Sequence, residues 1–298
     1  MAVAALSSAL IFCSALTFAA QVRVEKCVFC ADWNRPHAPF KIFGNTYYVG
    51  TASITSILVT SQEGHILIDA ANQESPPLIL TNIAALGFAA KDIRLILITH
   101  DHYDHAGGVA EIQRVSGAVV RASPISAEVL RTGKPARGDP QADTIERFPV
   151  VANVGALQDG EVLRVGPLAL TARFTPGHTP GGTSWSWESC EDSRCLNIAY
   201  LDSLAAVSSP GFEFGNSKSN PDVLNDFRRS FDVVSQMPCD IAISAHPEFS
   251  DFWKRLERRV QGDADALIDP EGCRRYAEKG RVGLDKRLTF EKWKDPAR

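Results

Sequence analysis

The chain predicts an α/β domain built of two β/α halves packed sheet to sheet. Three observations carry that expectation. Short apolar runs and runs with helical spacing follow each other in the order β-rich, α, β-rich, α. No linker-like stretch separates the halves. The 298 residues, 45% apolar and 22% charged, suit one large domain or two small ones of ordinary globular composition.

The elements follow from Gly and Pro punctuation. Met1 to Ala20 has no charged side chain, and small residues collect at Thr17, Ala19 and Ala20. It reads as a secretory signal peptide, residues 1–20, cut near Ala19 or Ala20, leaving residues 21–298 as one domain. A retained anchor is the alternative, since an apolar run of about 20 residues is only just long enough to span a bilayer. Phe12 stands where a lipoprotein site before Cys13 would want a small residue, which argues against lipidation.

Phe40 to Val49 reads as a hairpin turned at Gly44-Asn45. Ser53 to Thr60 and His65 to Asp69 form a second, turned around Glu63-Gly64. Helical spacing over Pro76 to Leu86 stops at Gly87. A strand at Ile93 to Ile98 precedes a helix from about Gly108 to Val115, a short strand at Ala118 to Ala122, and a helix opened by Pro124 and running to about Arg131. Gly133 to Val154 has little periodicity, and a loop of that length is more often functional or mobile than inert. Strands resume at Val162 to Val165, Leu168 to Phe174, Thr183 to Glu188 and Asn197 to Asp202. Pro221 to Gln236 is helical, Ile241 to Ser244 a buried strand, and Phe249 to Val260 and Gly272 to Lys292 helices.

The net charge of −4 gives no reason to expect nucleic acid or an anionic membrane as partner. Seven cysteines become six once Cys13 leaves with the signal, an even count that suggests disulfides after export. Cys190 and Cys195 flank a short polar stretch and could close a hairpin loop. Cys239 and Cys273 bracket the C-terminal part, and Cys27 and Cys30 pair by elimination. A Cys-x-x-Cys could instead bind metal or do redox work.

Residues 99 to 105 read Thr-His-Asp-His-Tyr-Asp-His, where a strand runs into a turn. His100 and His102 share one face of the extended segment, while Asp104 and His105 come where the chain turns and can face a second point nearby. That spacing suits two adjacent metals better than one. His178, in Thr175-Pro176-Gly177-His178-Thr179-Pro180-Gly181-Gly182, and His246, before Pro247, also follow strands. Alone, each would be read as a structural histidine. Beside the first cluster they complete a set of five imidazoles and one carboxylate, ligands that zinc accepts. His37 and His65 lack that setting, and His65, beside Gly64, reads as a surface or hairpin residue.

His100-x-His102-x-Asp104-His105, then Gly177-His178-Thr179-Pro180-Gly181-Gly182, then His246, resemble the metallo-β-lactamase superfamily. Within it the chain resembles class B β-lactamases of the third subclass. The first histidine is intact, and Tyr200-Leu201-Asp202-Ser203-Leu204 carries Ser203 where the first subclass has a Cys ligand. The likeness runs from about Ala31 to Tyr276. It implies a four-layer αββα sandwich with two zinc ions (Zn2+) per chain at one edge of the facing sheets. His100, His102 and His178 would hold the first ion, and Asp104, His105 and His246 the second. It also implies a small-molecule β-lactam substrate (penicillin, cephalosporin or carbapenem) and a part in antibiotic resistance; a monomer is expected, and the cleaved signal peptide places it in the periplasm with no membrane attachment afterwards.

The resemblance extends to single residues. Asp104 would orient a water that two cations deprotonate near neutral pH. Ser203 would bind the substrate carboxylate, although Ala205 stands where many relatives carry a second Ser. Asp202 is expected to point away from the metals, although a shift of one residue would make it the bridging Asp of glyoxalase II. Asp69 would orient a ligand imidazole, the alternative being a plain turn residue. Gln141, on the long loop, is a candidate substrate contact or an exposed loop amide. Another dinuclear zinc hydrolase of the same fold, a thioester hydrolase or lactonase, is the rival reading. A non-catalytic zinc protein is the other, disfavoured because six ligands shared by two metals normally leave an open position.

Overall fold

Near-continuous apolar runs along the inner strands give each sheet two faces to cover, and this divides the molecule into layers. The computed structural model describes residues 29–294. The signal peptide and Cys27 lie outside the described residues.

The first sheet holds seven strands in chain order: β1 (Phe40–Phe43), β2 (Thr46–Tyr48), β3 (Ile57–Val59), β4 (His65–Ile68), β5 (Ile93–Leu97), β6 (Val119–Ala122) and β7 (Val154–Ala156). Strands β1 to β4 pair antiparallel and β4 to β7 parallel. The second sheet holds β8 (Val162–Val165), β9 (Leu168–Phe174), β10 (Thr183–Glu191), β11 (Arg194–Leu201) and β12 (Ile241–Ser244) in the order β12-β11-β10-β9-β8. Phe43 pairs with Thr46 across Gly44-Asn45, as the turn residues demand.

Between the sheets, Ile57, Val59, Ile66, Ile68, Leu95 and Leu97 meet Leu170, Trp185, Ile198, Tyr200, Ile241 and Ile243 in one core. The intervening residues face outward. Leu58, Leu67, Ile96 and Ile98 pack under α2 (Pro76–Ala85), α4 (Val109–Ser116) and α5 (Pro124–Thr132), through Ile79, Ile83, Val109, Ile112 and Leu130. On the other side Ala199, Leu201 and Ala242 pack under α6 (Val223–Ser235) and α8 (Gly272–Lys294), through Phe227, Phe231, Val234, Ala277 and Leu284. The result is the four-layer αββα sandwich, and the period-2 pattern makes each sheet apolar on both faces.

Several details differ from expectation. Short helices α1 (Cys30–Trp33) and α3 (Tyr103–Ala106) carry too few residues for periodicity to show, and β7 is visible only through its pairing with β6. The helix expected from Phe249 begins instead as a 3-10 turn, Pro247–Ser250, and α7 (Phe252–Val260) starts after Asp251 takes a left-handed φ of 53°. His65 is not a surface residue. It is 6% exposed on β4, edge-on to Phe88 at 5.1 Å, because a sheet covered on both faces buries even the first residue of an inner strand. Disulfides join Cys190 to Cys195 and Cys239 to Cys273, and Cys30 is disulfide-bonded. No helix among the described residues is long and apolar enough to cross a membrane.

Candidate metal centre

Five strand ends meet at one edge of the sandwich. Strand β5 delivers His100 and His102, and α3 adds Asp104 and His105. The β9–β10 connection brings His178, and the segment after β12 brings His246. Beneath them, β4 ends in Asp69 and β11 in Asp202.

The rings of His100, His102 and His178 lie 4.8–4.9 Å apart, centre to centre. One ligand atom from each falls within 4.8 Å of the others. Beside them, Asp104 Oδ2 lies 3.3 Å from His105 Nε2 and 3.2 Å from His246 Nε2, and those two nitrogens are 3.4 Å apart. The expected six side chains thus form two adjacent triads, joined where the His100 and His105 rings approach to 4.2 Å.

Each imidazole turns one nitrogen inward and has its other nitrogen engaged from behind. Asp139 Oδ2 accepts from His102 Nε2 at 3.1 Å, leaving Nδ1 facing in. His178 Nδ1 donates to the Ala205 carbonyl at 2.8 Å, and His246 Nδ1 to the Ser53 carbonyl at 3.2 Å. His105 Nδ1 donates to Asp69 Oδ2 at 3.1 Å. Behind His100, Nδ1 is hydrogen-bonded to Thr99 Oγ1 at 3.1 Å, while Asp202 Oδ1 lies 2.9 Å away outside hydrogen-bond geometry. Such contacts fix the tautomer and orientation of a ligating ring.

Two of these anchors bear on sequence expectations. Asp69 holds a left-handed φ of 60° and is fully buried, accepting Thr99 N at 2.7 Å, Thr99 Oγ1 at 2.8 Å, Tyr200 OH at 2.6 Å and His105 Nδ1. It is no plain turn residue. Asp202 points away from the inward-facing nitrogens, yet it is not idle, because its carboxylate is buried against the back of His100. Gly182 makes room for it: a Cβ there would run into Asp202 Oδ2.

The electrostatics suit cations. Burial, and then the neighbouring rings of His105, His102 and His178, hold His100 well below the usual imidazole range, and burial with His102 does the same to His178. Both are therefore neutral at pH 7, with a lone pair to offer. Burial opposes charge on His105, but Asp104 and Asp69 outweigh it and raise that ring to about 10. Burial likewise opposes ionisation of Asp104, and His105 and His246 outweigh it, keeping the carboxylate well below its usual range. A proton on His105 thus occupies the place a dication would take, and ligation would release it. His100 Nε2 gives the clearest test of fit: it is buried and has no hydrogen-bond partner, which a metal ligand's inward atom should lack.

A pocket of about 490 Å3 opens above this floor. His102, Asp104, His178, His246, Ser203 and Gln141 line its polar side, and Phe29, Trp33, Ile145, Val207 and Phe249 its apolar side. Gln141 reaches in from the long loop, its Nε2 3.5 Å from both His102 Nδ1 and His178 Nε2. Ser203 is nearly buried, and its Oγ accepts from Ala205 N at 3.4 Å. Asp139 and Tyr200 escaped the sequence reading. An Asp before a Pro in a loop is ordinary turn chemistry, and a Tyr on a core strand reads as packing.

A family model described as the metallo-beta-lactamase superfamily matches residues 49–192. Among solved structures, the Rm3 metallo-beta-lactamase is 51% identical, with a TM-score of 0.88 over 90% of this chain and 100% of that one. MEM-A1, described as a subclass B3 metallo-beta-lactamase isolated from a soil metagenome library, is 46% identical, with a TM-score of 0.87 over 89% of this chain and 100% of that one. A curated hydroxyacylglutathione hydrolase of Anaeromyxobacter dehalogenans is 36% identical over 108 residues, 35% of this chain and 34% of that protein. The chain spans less than two thirds of the length of the first curated relatives it matches. Fold, site and likeness agree: the chain belongs to the metallo-β-lactamase superfamily, whose fold implies bound metal ions. Within that superfamily it groups with the B3 enzymes, the third subclass.

Proposed function

We propose that the chain hydrolyses the amide bond of β-lactams, using two zinc ions held by the two triads. The carrying observation is that His100 Nε2, His102 Nδ1 and His178 Nε2 face one point while Asp104 Oδ2, His105 Nε2 and His246 Nε2 face another beside it. Zinc ions in such a pair supply Lewis acidity toward a carbonyl and lower the pKa of water into the neutral range.

The chain's own groups do the rest. Asp104 is ionised in the pocket floor, so it can accept a hydrogen bond from the attacking water and aim it. Ser203 offers a hydroxyl to the substrate carboxylate, and Ala205 offers no second one, so carboxylate binding leans on Ser203 and the cations. Gln141 overhangs the floor and can donate its amide to the substrate. Phe29, Trp33 and Phe249 exclude water and take apolar substituents. We place this domain, from residue 21 onward, in the periplasm as a monomer that contributes to antibiotic resistance.

Turnover of a chromogenic cephalosporin, a penicillin and a carbapenem tests the reading. Activity should need zinc, vanish with chelator and return on zinc addition. His178→Ala should abolish it and lower zinc content, and full activity in that variant would refute the assignment. The curated likeness favours one rival, thioester hydrolysis. Turnover of an acyl-glutathione thioester with no β-lactam turnover would decide for it.

A further inference from the structure

Asp139 joins two parts of the site with one carboxylate. Oδ2 accepts from His102 Nε2 at 3.1 Å, and Oδ1 accepts from the backbone N of Gln141 at 2.7 Å. The side chain is fully buried, so neither bond competes with bulk water. We propose that Asp139 is a positioning residue that sets the metal-ligating tautomer of His102 and, through the same group, holds Gln141 over the substrate. This rests on the ligand set proposed above.

The first half follows from ring chemistry. His102 alone of the five turns its Nδ1 inward, the other four presenting Nε2. A neutral imidazole has one N–H and one lone pair, so a proton held on Nε2 by Asp139 puts the lone pair on Nδ1. A turn-capping role would account for Oδ1 and leave the Oδ2 contact unexplained.

The second half follows from how the loop is tied. Ser209 N donates to the Pro140 carbonyl at 2.9 Å, Thr144 Oγ1 meets Ser209 Oγ at 2.8 Å, and Asn220 Nδ2 donates to the Gly138 carbonyl at 3.3 Å. The loop around Asp139 is therefore backed by the segment after Ser203, and Asp139 carries its contact to the metal floor. Gln141 Nε2 sits 3.5 Å from His102 Nδ1. A shift of His102 and a shift of Gln141 thus have one cause.

Asp139→Ala removes both acceptor oxygens, so His102 and Gln141 lose their bonds together. Zinc affinity is measured by competition with a chromophoric chelator, beside KM and kcat for a cephalosporin. In Asp139→Ala one of two sites should weaken by roughly 10–100-fold, and KM should rise. Gln141→Ala should raise KM with zinc affinity unchanged. In the double variant the two KM effects should fail to add, because Gln141 is already misplaced. Unchanged zinc affinity in Asp139→Ala, or additive KM effects, would overturn the proposal. A lower melting temperature of the metal-free variant with zinc affinity intact would make Asp139 a loop brace and overturn it too. If the variant does not fold, NMR of the wild-type chain decides: a proton on His102 Nδ1 in the zinc-loaded protein refutes the idea. Wild-type protein that binds no zinc would instead sink the ligand reading itself.

Discussion

Asp69→Asn isolates one carboxylate oxygen. Asp69 Oδ2 accepts three donors, Thr99 Oγ1, Tyr200 OH and His105 Nδ1, while Oδ1 accepts Thr99 N. The backbone does not confound the change, since Asn takes a φ of 60° about as readily as Asp. If the Asn oxygen keeps Thr99 N, an NH2 faces three donors; the flipped amide keeps those three and sets its NH2 against Thr99 N alone. A hydrogen bond to a charged group contributes about 1.5–3 kcal/mol, so the loss runs from about 1.5–3 kcal/mol for the flipped amide, to which the lost charge adds, up to a bound of about 4.5–9 kcal/mol. Hydroxyls can rotate, so the figure expected is that for removing one partner of a buried charged network, about 3–5 kcal/mol. Against a domain stability of about 5–15 kcal/mol, that is large. Urea unfolding of the metal-free protein, followed by circular dichroism, measures it. Tyr200→Phe loses a single donor and should cost about 1.5–3 kcal/mol. A loss below about 1 kcal/mol in Asp69→Asn would show that Asp69 is not the anchor of this floor. So would a larger loss in Tyr200→Phe.

Gly182→Ala would drive a Cβ toward the Asp202 carboxylate and to within 2.6 Å of the Thr175 carbonyl. It should cost about 1–3 kcal/mol by overpacking and weaken zinc binding through His100; melting temperature and chelator competition check both. Replacing Cys239 by Ser and Cys273 by Ala opens a bridge spanning 34 positions. The chain-entropy model assigns it about 4 kcal/mol, to be read as a lower urea midpoint, and no shift would contradict it. His65 has its pKa lowered by burial, so its folded form resists protonation. The sign follows: its contribution is whole above the unfolded imidazole pKa of about 6.5 and is lost as pH falls below it. His65→Phe should therefore lose less melting temperature than wild type between pH 7.5 and 5.5, and equal losses would argue against a desolvated ring.

His100, His102, Asp104 and His105 were legible because four ligand side chains crowd six positions, and a strand running into a turn points them at neighbouring places whatever the rest of the chain does. His178 and His246 could be added because each follows a recognisable strand. The short apolar runs of β3, β4, β5 and β11 likewise announced two sheets packed face to face, and the motif order supplied the family. These signals are local, carried by spacing along the chain.

What stands behind the ligands is not local. Asp139 lies 37 positions from His102, Tyr200 131 from Asp69, and the Ser53 carbonyl 193 from His246. No periodicity marks a backbone carbonyl as a histidine's anchor, and only packing of the two sheets brings these groups together. Burial of His65 and the turn of Asp202 toward the back of His100 depend on the same packing. The sequence alone determined which atoms could bind cations and in what kind of layered fold. The tertiary structure decided which nitrogen faces inward for His102, His105, His178 and His246, because that choice belongs to buried polar partners distant in the chain.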